Sequence, residues 1–443
     1  VNYEESIEYV QSFVDHERAA DWVYPEAFKL DRMHRLCKDL GNPQNAFESA
    51  IVAGSKGKGS VATILASILR MENYKVGLYT SPHLIDLRER IRVNGLCVSE
   101  VRFAEYVSMF RKLLDTSAWR KDPPTYFEVL TAMAFHHFRE MKVHVAVLEV
   151  GLGGLYDSTN VAPAKVAGLA PISLEHTDRL GKTVAKIAVQ KAGIIKGREI
   201  VVSAPQAPDA EAVIERAARD REAELLRVGR EVKVFPRDYS DESQKFDVRT
   251  PYGNHFDLEI RLLGRHQIDN AAVAVAMAEA LTKKTRLTVT AEAIRRGTLD
   301  AHWPGRLERV ARDPDIVFDG AQNPDSAEKL VAALKRHFHW RRLLVVMGVS
   351  SDKDAAGILA QLLPETACLW ATRSTNPRAL APGEIAREAE GFTGEVFVEP
   401  DFRVAFRAAR ASARPNDMVL VTGSLFLVGD VKAAFSKELE ERW

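Results

Sequence analysis

The chain reads as an α/β protein of two domains. An N-terminal P-loop parallel-sheet domain with a small antiparallel annex is expected over residues 1–300, and a second, Rossmann-like doubly wound domain over 301–443. Three observations predict this. The 443 residues, 46% of them hydrophobic, exceed what one core usually organises, since domains run to roughly 100–200 residues. Short β-branched runs alternate with helical stretches in two separate series, as βαβ units do. A glycine-rich stretch, Gly54 to Ser60, lies between the first such run and a helix.

Taken in order, residues 3–14 and 26–40 place apolar side chains at helical spacing, and Gly41 to Pro43 stops them. SAIVAG, a helix Val61 to Met71, KVGLYT, a helix Phe127 to Met141 and VHVAVLEVG then alternate, followed by KVAGLAPIS, a helix Val184 to Ile195 and EIVVSA. The charge run Glu211 to Glu224 fits a solvated helix face. Residues 245–263 alternate Phe246/Val248 with Phe256/Leu258/Ile260/Leu262 about a turn at Pro251 to Asn254, which predicts a hairpin. Helices follow at Asp269 to Leu281 and Ala291 to Gly297. Thr298 to Gly305 lacks periodicity and is the candidate linker and hinge. DIVFDG, RRLLVVMGV, ACLWATR, EVFVEP and DMVLVTGS, separated by helices, form the second series.

Charge excludes several functions. With 61 Lys+Arg against 61 Asp+Glu, no global positive field exists to hold a nucleic-acid backbone or an anionic membrane, so neither partner is expected. Cys37, Cys97 and Cys368 have no paired spacing; they read as small core residues in a reducing compartment. No apolar run approaches the ~18–20 residues that cross a bilayer, and the acidic first residues do not resemble a leader. A monomeric cytoplasmic protein is expected.

The strongest local signal is Gly54-Ser55-Lys56-Gly57-Lys58-Gly59-Ser60. Glycines let backbone N–H groups point at one centre, a helix N-terminus adds positive potential, and Lys58 supplies a mobile cation for β- and γ-phosphate oxygens. Four further strings end strands in the same domain: Tyr79 to His83, Leu148 to Gly154, Leu174 to Asp178 and Gln190 to Ile194. Loops beyond the carboxyl ends of parallel strands converge on one crevice, so these should face the phosphate loop. A hydroxyl, a carboxylate and an imidazole beside phosphates suit Mg²⁺.

Read together, VAGSKGKGS, YTSPHL with ERIRVNG, FEVLTAMAF, VLEVGLGGLYDSTNV, EHTDRLGKTVAKIAVQKAGIIK, GRHQIDNAAVA, WPGRLE, FDGAQNPDSAEKL and VTGSLFLVG resemble the successive motifs of the folylpolyglutamate synthase/dihydrofolate synthase family of Mur-ligase-like, ATP-dependent amide ligases. The resemblance is collinear from about residue 20 to the C-terminus. It implies ATP on Gly54 to Ser60 with Lys58, one Mg²⁺ on Ser81 and Glu149, and a second served by His176 with Glu149. It further implies a carbamoylated Lys191, which requires a neutral amine, and nucleotide contacts from Gln267, Asn270, Arg306 and Asp319. Phe127 and Asp157 fall at pteroate-binding positions and Ser424 at the glutamate site.

The implied reaction is attack of a folate or pteroate carboxylate on the γ-phosphorus, then displacement of phosphate from the acyl phosphate by the amine of L-glutamate. Lys58, His176, Lys191 and Arg306 are the catalytic candidates. Departures cluster at substrate positions. Gln322 stands where the family has the histidine of DGAHNP, Leu155-Tyr156 replace Arg-Leu of GGRLD, Gln190 replaces a glutamate, and Ser55-Lys56 replace Thr-Asn. These keep open a Mur-like amide ligase with another acid or amino acid, and, from a different class, a non-catalytic nucleotide-binding module.

Overall fold

The computed structural model describes residues 2–15 and 30–440. Its strands in chain order are β1 (Glu48–Ala53), β2 (Val76–Tyr79), β3 (Ile91–Val93), β4 (Leu96–Cys97), β5 (Val145–Glu149), β6 (Val166–Leu169), β7 (Ile200–Ser203) and β8 (Glu224–Arg227). There follow β9 (Lys233–Tyr239), β10 (Gln244–Arg249), β11 (Asn254–Ile260), β12 (Glu308–Ala311), β13 (Asp315–Phe318), β14 (Leu343–Met347), β15 (Thr366–Arg373), β16 (Glu395–Asp401) and β17 (Met418–Thr422).

Two compact units result. One holds residues 1–238, 245–260 and 267–302; the other holds 239–244, 261–266 and 303–443. The first is built on a sheet ordered β4-β3-β2-β5-β1-β6-β7-β8. Strands β2, β5, β1, β6, β7 and β8 run parallel, and β3 and β4 are added antiparallel at one edge. In β1, β2, β5, β6 and β7 almost every residue is buried. Helices cover both faces of such a sheet, which is why these strands read as unbroken apolar runs rather than alternating ones.

The annex is a three-stranded sheet ordered β11-β10-β9. β10 and β11 are joined by a turn closed by Thr250 N donating to Gly253 O at 2.9 Å, and so short a connection forces antiparallel pairing. β9 was not expected: its sequence KVFPRDY carries Pro236, and nearly all its side chains are exposed. Proline is tolerated there because β9 is the edge of its sheet.

The second unit has a sheet ordered β12-β13-β17-β14-β15-β16, parallel except for the β12–β13 pair. The five expected strands are β13 to β17, and β12 is an additional edge strand.

Three local expectations change, and a fourth is seen in part. Cys97 is exposed on the two-residue edge strand β4, whereas Cys37 and Cys368 are buried. The helix Ala291–Asp300 runs into the expected linker, so the non-periodic stretch begins at Ala301. Glu224 opens β8 rather than ending a helix. The expected helix over 26–40 is seen from Leu30 to Asp39, and its first residues lie outside the described ones.

Candidate active site

Sheet order decides what meets what. β2, β5, β1 and β6 are consecutive neighbours, so the segments that follow them emerge side by side at one end of the sheet. The phosphate loop follows β1, Ser81 follows β2, Glu149 ends β5, and the segment holding Glu175 and His176 follows β6.

The loop turns into the helix Lys58–Met71 at Gly57, whose φ of 82° lies in the left-handed region. A Cβ there would also come within 2.5 Å of the Asn270 side-chain oxygen. Any other residue would therefore strain the turn and displace the Asn270 side chain. Asn270 and Gln267 on that helix are buried and joined, Asn270 Nδ2 donating to Gln267 Oε1 at 2.9 Å. Both expected nucleotide residues thus back the loop.

The amides nearest the strand are not available to a phosphate. Ser55 N and Lys56 N both donate to Pro171 O, at 2.9 and 3.2 Å. The anion-binding potential rests instead on the first helical amides, those of Lys58, Gly59 and Ser60, which have no intrahelical acceptor at a helix start.

Two lysines converge on one carbonyl. Lys58 Nζ donates to Gly54 O at 3.1 Å, and Lys191 Nζ, from the last turn of the helix Val184–Ala192, donates to the same oxygen at 2.7 Å. Burial, reinforced by the charge of Lys58, lowers the Lys191 ammonium to about 7. Lys191, singled out from sequence only as a match, is thus a buried amine whose ammonium is disfavoured by desolvation.

Glu149 is buried, and its Oε2 accepts from Ser81 N at 3.0 Å. The two residues expected to supply the hydroxyl and the carboxylate are therefore neighbours. Two hard oxygen donors suit Mg²⁺, which is commonly held by one or two side chains with phosphate oxygens and water completing the octahedron. Among the described residues no group of three or more His, Cys, Asp or Glu side chains forms a metal cage on its own. His176 is exposed and precedes the short helix Thr177–Leu180 in left-handed conformation.

Glu175 was passed over in the sequence, although it stands beside His176. Its Oε1 accepts from Lys56 Nζ at 2.6 Å. Burial raises its carboxyl, but Lys56, Lys58, His176 and Lys191 outweigh that and hold it at about 2. The signal was an extra lysine in the loop and an acid just beyond the neighbouring strand.

Phe127 lies in the first turn of the helix Tyr126–Glu140, which Thr125 and Glu128 start with a capping box. Its half-exposed ring approaches Gly151 so closely that a Cβ there would come within 2.6 Å, and it stands 5.8 Å from the Tyr79 ring. This puts an aromatic face beside the Glu149 turn.

Asp157, expected at a pteroate-binding position, is tied to its own turn. Its Oδ2 accepts from Gly151 N and Leu152 N at 3.0 and 3.1 Å, and its Oδ1 from Thr159 N at 2.9 Å and Thr159 Oγ1 at 2.5 Å. Burial nevertheless pushes its carboxyl up. With both oxygens committed, it shapes the glycine turn under Phe127. Leu155 packs on Gly193 just past Lys191, its N–H donating to Gln190 O at 2.8 Å.

In the second unit, Asp319 follows β13. Its Oδ2 accepts from Leu307 N and its Oδ1 from Ala321 N, both at 2.8 Å. Desolvation pushes this carboxyl up and Arg306 pulls it down. Gln322 N donates to Ser326 Oγ at 3.1 Å. Ser424 follows β17, and its Oγ accepts from Phe426 N at 3.1 Å, at the start of the helix Leu425–Glu440.

Comparison with known proteins agrees with this layout. The Mur ligase middle domain matches residues 52–278, and the Mur ligase glutamate ligase domain matches 305–425. The dihydrofolate synthase/folylpolyglutamate synthase of Bacillus subtilis is 32% identical over 429 residues, 95% of this chain and 99% of that protein. A Mycobacterium tuberculosis folylpolyglutamate synthase complexed with ADP superposes with a TM-score of 0.88 at 32% identity, covering 98% of each chain. The FolC of Escherichia coli in complex with DHPP and ADP gives 0.86 at 31% identity, covering 99% of this chain and 98% of that one.

Proposed function

The chain belongs to the folylpolyglutamate synthase/dihydrofolate synthase family of Mur ligases, and from that premise we infer that it is an ATP-dependent ligase joining L-glutamate to a pteroate or folate carboxylate. The observation that carries this reading is the convergence of Lys58 and Lys191 on Gly54 O at the head of the phosphate loop, one strand away from the Ser81–Glu149 pair.

A carboxylate is a poor electrophile and must be activated. Its oxygen forms a bond to the γ-phosphorus while the bond to ADP breaks; the glutamate amine then attacks the acyl carbon, phosphate leaves and the nitrogen loses a proton. What the protein contributes is positioning and charge neutralisation. Lys58 offsets the charge of the transferred phosphoryl group, and the first amides of the helix Lys58–Met71 orient its oxygens. Phe127 offers a flat apolar face to an aromatic acid substrate, and the Asp157-braced turn fixes that face. Arg306, Asp319, Gln322 and Ser424 are proposed to serve the nucleotide and the incoming amino acid.

Ser81 and Glu149, with His176, would hold magnesium, which supplies charge neutralisation along the phosphates when bound. Lys191 is proposed as a carbamoylation site. The physical support is its amine near 7, which leaves a large unprotonated fraction to react with CO₂ at neutral pH.

The test is phosphate release from ATP with dihydropteroate, tetrahydrofolate and L-glutamate, added singly and together. Turnover should require both a folate-type acid and glutamate. Release that depends on neither would instead indicate a nucleotide hydrolase, and nucleotide binding without turnover on any pair would redirect the search to other acids or amino acids.

A further inference from the structure

Among the described residues, five contacts fasten the phosphate loop to the segment that follows β6. Ser55 N and Lys56 N donate to Pro171 O at 2.9 and 3.2 Å. Ser55 Oγ donates to Ser173 O at 3.0 Å, and Ser173 N donates back to Ser55 Oγ at 3.1 Å. The fifth link is the ion pair Lys56 Nζ–Glu175 Oε1 at 2.6 Å, made by side chains that are only 22% and 10% exposed. This link is charged and is made by side chains at both ends.

Lys56 could in principle act on a phosphate itself, as Lys58 does. Geometry favours another role. Lys58 Nζ already lies across the turn on Gly54 O, together with Lys191, whereas Lys56 reaches to the neighbouring segment. Drawing Lys56 onto a phosphate would take its close partner from a largely buried carboxylate, and breaking such a pair at one end is costly.

We propose that the Lys56–Glu175 ion pair is a positioning latch, which clamps the phosphate loop onto the segment after β6 and so presets the cradle for a nucleoside di- or triphosphate. Lys56 acts through Glu175 and not as a phosphate ligand. This rests on the ATP reading of the loop. Preorganisation of this kind strengthens binding by removing an ordering cost, so it is read in nucleotide affinity rather than in the rate at saturation.

The experiment is a double-mutant cycle on the full chain, with Lys56→Met, Glu175→Gln and the pair combined. Affinity for ADP and for a non-hydrolysable ATP analogue is measured by calorimetry, alongside KM for ATP, kcat and the thermal unfolding midpoint of each variant. Each single change should weaken nucleotide binding about tenfold, and the double variant should be no weaker than either single, because contacting residues couple. The loss should appear mainly in KM for ATP and in nucleotide affinity, with kcat at saturating ATP falling by a smaller factor than the affinity does. Lys56→Arg should restore affinity, and the exchanged pair Lys56→Glu with Glu175→Lys should recover part of it.

Losses that multiply in the double variant would make Lys56 an independent phosphate ligand and overturn the latch, as would unchanged affinity in both single variants. If Glu175→Gln alone fails to fold, the Lys56→Met and Lys56→Arg pair still decides: loss without recovery in the arginine variant contradicts the proposal. A wild-type chain that binds neither nucleotide would remove the ATP reading itself, a result distinct from uncoupled variants on a nucleotide-binding parent.

Discussion

The two parallel sheets end in loops of opposite character. Beyond β1, β5 and β6 the first unit gathers Lys56, Lys58, Glu149, Glu175 and, from a following helix, Lys191, several of them in contact with one another or with the Gly54 carbonyl. Beyond β13 and β17 the second unit has Asp319 and Ser424, whose side-chain oxygens accept from backbone amides, those of Ala321 and Phe426 in their own loops and that of Leu307 just before β12. Both follow the rule that parallel sheets place their sites past the carboxyl ends of strands. The difference is in what the charges do: in the first unit Lys58 is poised to meet an anion and Glu149 a cation, whereas in the second the Asp319 carboxylate holds a backbone shape. Mutations in the first should therefore remove chemistry with little loss of fold, whereas those at Asp319 and Ser424 should cost stability in addition to any service to the nucleotide or amino acid.

The largest effect should come from Lys58→Ala, with turnover reduced about a thousandfold, the scale of losing one preorganised charge donor at a transferring group. Unfolding in urea should be nearly unchanged. Near-normal steady-state rates in that variant would erase the contrast between the units. Lys191→Met should follow, with turnover down about a hundredfold and no rescue by added bicarbonate; full activity would remove Lys191 from the site.

In the second unit, Asp319→Ala leaves two amides, Leu307 N and Ala321 N, without their acceptor. Urea melts should show a loss of about 2 kcal/mol. A variant with normal stability but no turnover would mean that Asp319 works as a reacting group and would break the distinction.

Lys191 sharpens the comparison through pH. Burial lowers its folded-state value from the ordinary 10.5 to about 7. Below pH 7 both folded and unfolded chains hold the proton, so the folded state bears the full cost of a buried charge. Between about 7 and 10.5 only the unfolded chain holds it, so stability rises with pH, by at most about 1.4 kcal/mol per unit. Urea melts at pH 7 and 9 should show wild type gaining on Lys191→Met; a constant difference would mean that the amine does not titrate in that window. The smallest effect is Ser424→Ala, which removes a helix-start acceptor and should lower stability by about 1 kcal/mol; an unchanged melt would show that the Phe426 amide finds another partner.

Much of this arrangement could be read from residue types and spacing. Gly54 to Ser60 and the strings after β2, β5 and β6 are local patterns, and the alternation of runs predicts the strands that carry them. What could not be read depends on neighbours distant in the chain. The Lys56–Glu175 pair exists because β1 and β6 are adjacent, an order that spacing does not specify. Asp157 matched a substrate position, yet only coordinates show that its four acceptor contacts bind its own turn. β9 hid behind Pro236, and Cys97 looked like core until β4 proved to be an edge.

The most direct test is calorimetric titration of a non-hydrolysable ATP analogue into the wild-type chain and Lys58→Ala, with and without magnesium. Saturable one-to-one binding by wild type, tightened by magnesium and weakened about a hundredfold in the variant, is the expected result. Equal binding by the two chains, or none by either, would show that the turn at residues 54–60 does not hold the triphosphate.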